Sequence, residues 1–534
     1  MISKRQTYWL IAIVTILIAF LLQSLQEYRL YAKEAEHLWL NDSLWIEMQL
    51  VKLGGFVQVL TSFFTQFFQF YGVGAILLSV LFAFVFYLCI KIGRSFGMND
   101  CFAMLWLFPL LFMVLCHEHT YFNLKGHFAF AIALLLTYCY IRLFGKGLWL
   151  RRFSGVGVIL IKLFSLISII VFGYILVGSA IVLVVAVVSL YELLTRRNWW
   201  TLLVAIITFV LCAGFAVKFR YCVDMEHALT PLQYYEWPTT YFFPMYAWLS
   251  VPVILVLGKV LAREYSKKTQ IWIFVGSFIV AVCTFANMYG MVHNEKVYQL
   301  RKDEWMARNE DWNGIIEAHA KTKEPTPFIS YLNLALAKKG QLVQRMSEFN
   351  PYIVWSDEAK MYSPVLMTHD ELSRDALKLQ SCVFMNWGGK ALANAQKSAF
   401  EANFLTPGET DPTEQERLII TNSVFETRKT AEKYQRRLAR TTFYKGRTFC
   451  KDGTFCKDGT PSSQTLSAKV EEYKKSLPEE DAFYMKTQIG KMLHDIAFQT
   501  PENRIATQFY EAYLIQSQDS VAYRHWKEFT QTHE

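Results

Sequence analysis

The sequence predicts an all-α protein: a polytopic transmembrane helix bundle of about nine spans in residues 1–291, followed by a periplasmic α-hairpin solenoid in residues 292–534. Two observations support this prediction. Apolar residues make up 53% and aromatic residues 16% of the 534 residues, which is typical of membrane proteins. Residues 1–291 contain 21 Lys and Arg against 12 Asp and Glu, whereas residues 292–534 contain 33 of each. The whole net charge of +9 therefore lies in the apolar half.

Composition also excludes several classes of protein. With 26 Gly, 14 Pro and 10 Cys, the chain is not collagen-like, wholly disordered or a disulfide-rich secreted domain. The basic residues fall in short clusters between apolar runs and do not follow one face, so we expect no nucleic-acid partner. The lipid bilayer is the first partner that the sequence predicts.

Nine apolar runs have the length of about 20 residues that a helix needs to cross a bilayer. The fifth and sixth runs adjoin each other, and the segment from Gly173 to Ser179 between them is the place where we predict a turn. Lys162 lies inside the fifth run near its beginning, and we expect its ammonium group to snorkel to the membrane surface. The runs cover residues 8–24, 72–90, 101–116, 127–143, 155–173, 176–193, 200–217, 242–261 and 271–290.

Lys and Arg in the short loops predict the orientation of these spans, because cytoplasmic loops are enriched in both residues. A cytoplasmic N-terminus places fourteen of them inside and six in the opposite loops. Nine spans then place residues 292–534 in the periplasm, so we expect a multi-pass protein of the bacterial inner membrane. The first span lacks a small-x-small cleavage pattern and is interpreted as an uncleaved anchor. The fourteen are Lys4, Arg5, Lys91, Arg94, Arg142, Lys146, Arg151, Arg152, Arg196, Arg197, Lys259, Arg263, Lys267 and Lys268.

Candidate site residues lie in the predicted outer loops. The loop of residues 25–71 contains an aromatic-rich stretch after Gly54 and Gly55, which is typical of helices lying in a membrane interface, and it carries Asp42 and Glu47. His117, Glu118 and His119 follow the third span. Imidazoles and carboxylates at one surface are able to hold a divalent ion or supply a general base, which makes His117 and His119 candidate metal ligands. The alternative, which we favour, is that these residues are polar because the loops are wet.

Residues 292–534 show helical periodicity interrupted by Pro and Gly. We predict a helix hairpin from Asp311 to His319 and from Phe328 to Ala337, and further helix pairs at 371–386 with 390–405, 413–424 with 427–442 and 480–496 with 502–516. Trp305, Trp312 and Tyr331 are assigned to the core of these hairpins. A short helix is predicted near 518–531. The six-residue tandem copy at Thr448–Thr460 predicts a flexible loop at 445–465. The spacing of Ala395, Ala399, Ala402 and Pro407 resembles the second helix of a tetratricopeptide repeat.

Three stretches resemble a family of uncharacterised bacterial membrane proteins, known mainly from Bacteroidales, with tetratricopeptide-like C-termini: Gly54–Phe68, Leu332–Leu342 and Ala431–Tyr444. This resemblance implies a fold and no activity. A weaker resemblance is to the GT-C glycosyltransferases, which have a large first outer loop with acidic residues and use lipid-linked sugars. It implies that Asp42 or Glu47, together with Glu118, are catalytic, and that a divalent metal is a possible cofactor.

Two functions follow from these patterns. In the first, the periplasmic repeats bind or organise another component of the cell envelope, since solenoids usually expose a concave protein-binding surface. In the second, the chain is a GT-C-like transferase of a polyprenyl-phosphate-linked sugar. We favour the first function.

Overall fold

The computed structural model describes residues 4–119, 122–145, 155–234, 243–320, 329–349, 373–406, 411–444, 461–477 and 489–533. The predicted loop at 445–465 and its tandem repeat lie almost wholly outside these residues, as does Pro407. The chain divides into two compact units. The membrane unit comprises Met1–Lys33 and Asp42–His293, and the C-terminal unit comprises Glu34–Asn41 and Asn294–Glu534.

The described residues are helical and include no β-strand, which confirms the all-α prediction. In the membrane unit, short 3-10 turns connect several helices, among them Asp100–Trp106 before α5 and Cys116–Glu118 after it. The helices are α1 (Lys4–Glu36), α2 (Ser43–Leu50), α3 (Gly55–Thr65), α4 (Val73–Ser95), α5 (Leu107–Leu115), α6 (Lys125–Gly145), α7 (Gly155–Val177), α8 (Val182–Arg196), α9 (Trp200–Lys218), α10 (Met225–Leu229), α11 (Phe243–Val260) and α12 (Lys267–Val292).

Eight segments of the described chain are long and apolar enough to cross a membrane, so the protein is a multi-pass membrane protein. Their lipid-facing surfaces carry exposed apolar side chains such as Phe164, Phe172 and Trp272. Such surfaces are stable in a bilayer because lipid replaces the missing protein neighbours. The segments are Arg5–Glu36, Val73–Ser95, Asp100–Glu118, Lys125–Phe144, Ile159–Arg196, Trp200–Lys218, Phe243–Val260 and Lys267–Val292.

The segment Ile159–Arg196 is a hairpin of two helices rather than one long helix. It turns at Gly178, whose φ of 70° favours glycine. Across the open end of the hairpin, Nζ of Lys162 on α7 lies 3.6 Å from Oε1 of Glu192 on α8. In a straight helix of this length these residues would be about 45 Å apart, so α7 and α8 run antiparallel. The expectation that Lys162 snorkels is wrong, because a buried carboxylate inside the bundle holds its ammonium group.

The loop between the first two apolar segments folds into α2 and α3. Asp42 caps α2 by accepting a hydrogen bond from the amide of Leu44 at 3.3 Å, and Gly54 precedes α3 with a φ of 68°. A Cβ on Gly55 would lie 1.8 Å from the carbonyl oxygen of Gln49. Only glycine therefore allows the chain to turn this sharply between the two helices.

The C-terminal unit contains twelve helices among its described residues. Four of the predicted helix pairings and the final helix are present, whereas α13, α16 and α21 were not predicted. The helices are α13 (Glu295–Arg308), α14 (Trp312–Ala320), α15 (Ile329–Lys338), α16 (Leu342–Phe349), α17 (Ser373–Trp387), α18 (Leu392–Leu405), α19 (Pro412–Val424), α20 (Arg428–Leu438), α21 (Pro461–Lys475), α22 (Ile489–Gln499), α23 (Arg504–Ser517) and α24 (Ser520–His533).

Successive helices of this unit pack against each other, and α17, α18, α19 and α20 form the most extensive series. Ala395, Ala399 and Ala402 are fully buried on α18, and their small side chains let α17 approach closely. The packing is not that of an open solenoid, in which each repeat contacts only its neighbours. Instead, α23 also packs on α15, α16 and α17, so the last hairpin returns to the first.

The end of the first apolar helix belongs to the C-terminal unit. Glu34 accepts a hydrogen bond from the hydroxyl of Tyr444 at 2.7 Å and lies 3.4 Å from Nη1 of Arg308. Glu36 forms a buried ion pair with Arg374 at 2.7 Å. The segment Glu34–Asn41 is therefore an integral part of a unit whose other residues begin at Asn294.

Candidate functional site

A set of polar side chains, all buried except the partly exposed His293, occupies one end of the membrane unit and is here called the polar cluster. Ionisable groups inside a membrane domain are costly unless they are paired, so such a cluster is a candidate site. Its members come from α1, the 3-10 turn after α5, α6 and the end of α12. The fold therefore brings together residues that are far apart in the sequence. The polar cluster consists of Gln26, Arg29, Lys33, His117, Glu118, His127 and His293.

Glu118 is the centre of the polar cluster. Its carboxylate lies 2.8 Å from Nη2 of Arg29, and both side chains are 1% exposed. The amide of Gln26 donates to Oε1 of Glu118, and Nδ1 of His293 lies 3.0 Å from Oε2. Arg29 also donates from Nη1 to the backbone carbonyl oxygen of Glu118 at 2.8 Å. This geometry fixes the 3-10 turn after α5 to α1.

A histidine pair lies next to this ion pair. Nε2 of His117 and Nε2 of His127 are 3.1 Å apart, so one ring donates a hydrogen bond to the other. Both side chains are fully buried, and among the described residues neither Nδ1 atom has a hydrogen-bond partner. Lys33 donates to the carbonyl oxygen of Phe122 at 2.7 Å, and the ring centroid of Phe122 is 4.9 Å from that of His127.

The electrostatics of the polar cluster oppose a metal cation. His119 follows Glu118 in the sequence and is not itself a member of the cluster. Burial, reinforced by the positive charges of Arg29 and Lys33, lowers the pKa of His119 to about 4. The same two cations would repel a divalent ion at this place. No group of three or more His, Cys, Asp or Glu side chains in the described part of the chain is arranged to hold a metal ion.

The predicted acidic residues lie in different environments, buried for Glu118 and exposed for Glu47. Glu118 is buried in the polar cluster, and His117, its neighbour in sequence, contacts His127. Asp42 lies at the beginning of α2, and Glu47 is exposed on the same helix. The expectation that these loop residues are polar because they are wet is wrong for His117 and Glu118, since the chain folds back and buries both against α1.

A cavity of 660 Å³ lies within the C-terminal unit. Ligand sites of small molecules span about 300–1,000 Å³, so this cavity is large enough for a ligand. Six basic and four acidic residues contribute to its wall, together with aromatic and amide side chains. The wall includes Arg308, Glu310, Trp312, Lys338, Cys382, Asn386, Glu416, Arg417, Lys469, Glu472, Tyr473, Lys475, Glu502 and Arg504.

Arg417 presents unused hydrogen-bond donors to this cavity. Its three hydrogen bonds within the described residues all come from Nη1, which donates to Glu414, to the hydroxyl of Ser381 and to the carbonyl oxygen of Lys378. Nε and Nη2 form the second edge of the guanidinium group, and both remain able to donate hydrogen bonds to a ligand in the cavity. Lys338 lines the same cavity, and its Nζ lies 5.8 Å from the ring centroid of Trp312.

Behind Arg417 lies a network of buried charges. Nζ of Lys378 is 2.6 Å from Oδ2 of Asp411; this lysine, with a hydrogen bond from the amide of Glu414, lowers the pKa of the Asp411 carboxyl despite its burial. Burial raises the pKa of Glu414 to about 8, although the Arg417 guanidinium opposes this shift. Glu414 therefore ionises less readily than an ordinary glutamate, and its contact with Arg417 is made through Nη1 alone.

Sequence patterns missed this cavity. Tyr331 is buried as predicted, but Trp312 lines the cavity wall instead of the core. Arg417 lies in a helix with many charges and has no motif around it. The available signal was weak: Arg417 follows Glu414 by three residues, which is typical of an ordinary surface pair on a helix.

Comparison with known proteins decides the family. A family of unknown function, DUF6057, matches residues 2–524. The chain belongs to the DUF6057 family. No curated protein and no solved structure matches this DUF6057 chain. The family relationship therefore agrees with the sequence resemblance to an uncharacterised family and assigns no activity to the polar cluster or to the cavity.

Proposed function

We propose that this protein is a multi-pass protein of the bacterial inner membrane whose C-terminal unit lies in the periplasm. There the unit binds or organises another component of the cell envelope, which it holds at the cavity beside Arg417. The cavity is the observation that carries this proposal, because it places unused donors of the partly buried Arg417 in a space of ligand size. The polar cluster has a structural role in this proposal, since its carboxylate, Glu118, is already paired with Arg29.

The orientation in this proposal rests on the distribution of basic residues. A cytoplasmic N-terminus places fourteen Lys and Arg on the cytoplasmic side, as bacterial inner-membrane proteins require. The antiparallel pairing of α7 and α8 supports counting two spans in the segment Ile159–Arg196, which raises eight apolar segments to nine crossings. An odd number of crossings places the two ends of the chain on opposite sides of the membrane.

Reporter fusions test this topology. Alkaline phosphatase fused after Glu534 is expected to be active, because that enzyme folds only in the oxidising periplasm. A second fusion in the turn near Gly178 is expected to be active as well, and one after Arg197 inactive. An inactive enzyme after Glu534, with a cytoplasmic reporter active at the same position, would contradict the nine crossings.

A GT-C-like transferase of a polyprenyl-phosphate-linked sugar is the second candidate function. The observation that favours it is the folding of the first loop into α2 and α3, with Asp42 at the beginning of α2 and Glu47 exposed on it. In that function Asp42 or Glu47 acts with Glu118 on the substrate, and His117 and His119 hold a divalent metal. The ion pair between Glu118 and Arg29 argues against it, because it occupies the carboxylate that the reaction needs.

One complementation experiment distinguishes the two functions. In a deletion strain that expresses tagged full-length variants, Lys338→Gln is expected to reduce the recovery of cross-linked envelope partners at least about tenfold, since it removes a cavity cation. Asp42→Asn and Glu47→Gln are expected to leave both partners and surface glycans unchanged. Arg436→Gln is the matched control, because Arg436 is 75% exposed on α20 and, within the part of the chain that the structure describes, forms an ion pair only with Glu432 across one helical turn.

The readouts are mass spectrometry of the partners and a surface-glycan profile at equal protein level. Glycan loss with Asp42→Asn or Glu47→Gln would favour the transferase. Unchanged partners with Lys338→Gln would contradict the proposed binding role of the cavity.

A further inference from the structure

The wall of the cavity in the C-terminal unit indicates the chemistry of its ligand, an inference that rests on the proposed function. Two cations in the wall have hydrogen-bond donors that the described residues do not use. Arg417 has Glu414 as its acidic partner, and Lys338 forms no ion pair within the described residues. Cations with donors left over are typical of sites for a carboxylate or a phosphate.

Acidic residues in the same wall help to distinguish a carboxylate from a phosphate as the group that binds there. Glu310, Glu472 and Glu502 are exposed, and Glu416 also lines the cavity. Four carboxylates would repel a phosphate dianion more strongly than a single carboxylate. They would instead attract basic groups on the same ligand. The wall therefore favours a ligand that carries both signs of charge.

Uncharged groups in the wall fit a peptide backbone. The amide of Asn386 lines the cavity beside the hydroxyl-bearing side chains of Thr413, Tyr473 and Ser476. Trp312 adds a flat apolar surface. Sites with a few polar groups among apolar ones fix the orientation of an extended ligand, and capture of a terminal carboxylate is a known mode of peptide recognition.

We propose that the cavity binds the carboxylate end of a short basic peptide, with Arg417 and Lys338 contacting the carboxylate and with Glu472 and Glu502 facing the basic groups. The second edge of the Arg417 guanidinium group matches a carboxylate in a bidentate geometry. The ligand is thus a peptide segment exposed in the same compartment as the C-terminal unit.

Retention of peptides by the full-length protein tests this proposal. The protein in lipid nanodiscs is immobilised and exposed to a pool of randomised hexapeptides, made once with a free C-terminal carboxylate and once with a C-terminal amide. Mass spectrometry is expected to show the free-carboxylate pool retained at least about tenfold more strongly, with Lys and Arg enriched among the retained peptides.

Two variants and a control complete the design. Arg417→Gln is expected to lower retention of the free-carboxylate pool to the level of the amidated pool. Because Arg417 also pairs with buried Glu414, Lys338→Gln serves as a second variant, which breaks no ion pair among the described residues. It is also expected to lower retention of the free-carboxylate pool. Arg436→Gln, outside the cavity, is expected to retain peptides as the unmodified protein does.

The outcomes separate this proposal from the proposed function. Equal retention of the two pools, or retention that Lys338→Gln leaves unchanged, would overturn the peptide-carboxylate proposal. If Lys338→Gln nevertheless abolishes the recovery of envelope partners in cells, the cavity binds a ligand of different chemistry. If neither peptides nor partners depend on Lys338 and Arg417, both proposals fail.

Discussion

Replacing Glu118 by alanine is expected to lower the free energy of unfolding of the membrane unit by roughly 3–5 kcal/mol, because it leaves the buried guanidinium of Arg29 without its carboxylate. It also removes the acceptor of Gln26 and the partner of His293. The measurement is the folded fraction of detergent-purified protein, followed by size-exclusion chromatography after heating at a series of temperatures.

Two controls identify the cause of this loss. The double variant Arg29→Met with Glu118→Leu is expected to be more stable than Glu118→Ala, since removal of both charges leaves no uncompensated ion. Glu47→Ala is expected to change the free energy of unfolding by at most about 0.5 kcal/mol, because Glu47 is exposed. If Glu118→Ala unfolds at the same temperature as the unmodified protein, the ion pair does not stabilise the bundle.

The C-terminal residues 294–534 are expected to fold poorly when they are expressed alone. Without the segment Glu34–Asn41, Arg308 loses the carboxylate of Glu34 and Arg374 loses that of Glu36. Breaking a buried ion pair costs about 3–5 kcal/mol, and two such losses approach the whole stability of a domain, roughly 5–15 kcal/mol. Far-UV circular dichroism is expected to show helix that melts without a sharp transition.

Tethering the missing segment is expected to restore cooperative melting. Residues 30–41 joined to Asn294 through a flexible Gly/Ser linker supply both carboxylates at high effective concentration. The same tether with Glu34→Gln and Glu36→Gln is the matched control and is expected to restore much less. Equal, sharp melting of the untethered residues 294–534 would show that the segment is dispensable.

Local sequence patterns predict much of the helical architecture, but they do not predict contacts between residues that are far apart in the sequence. The apolar runs and the helix pair around Gly388 and Gly389 follow from residue spacing and turn residues that act over one or two helical turns. The burial of Glu118 depends on Arg29, 89 residues earlier. Sequence spacing contains no information about such a contact. The local sequence around a buried glutamate therefore does not differ from that around a glutamate in a solvated loop.

The absence of a local signal for long-range contacts also explains the other differences between the sequence predictions and the structure. Lys162 is the one charged residue in its apolar run, and only the return of α8 brings Glu192 to it. Arg417 becomes part of a cavity only because distant helices complete the wall around it. The segment Glu34–Asn41 continues an apolar helix, and no local signal distinguishes it from a loop connected to the second span.

The discontinuity of the C-terminal unit imposes an order on the biogenesis of the protein. A ribosome adds about 5–20 residues each second, so the roughly 250 residues between Asn41 and Asn294 take on the order of 10–50 s to synthesise. During this interval Glu34 and Glu36 have left the ribosome without Arg308 and Arg374. Insertion of the later helices into the bilayer thus precedes completion of the C-terminal unit. In a nascent chain stalled before Asn294, Glu34 and Glu36 lack the arginines with which they pair in the complete protein.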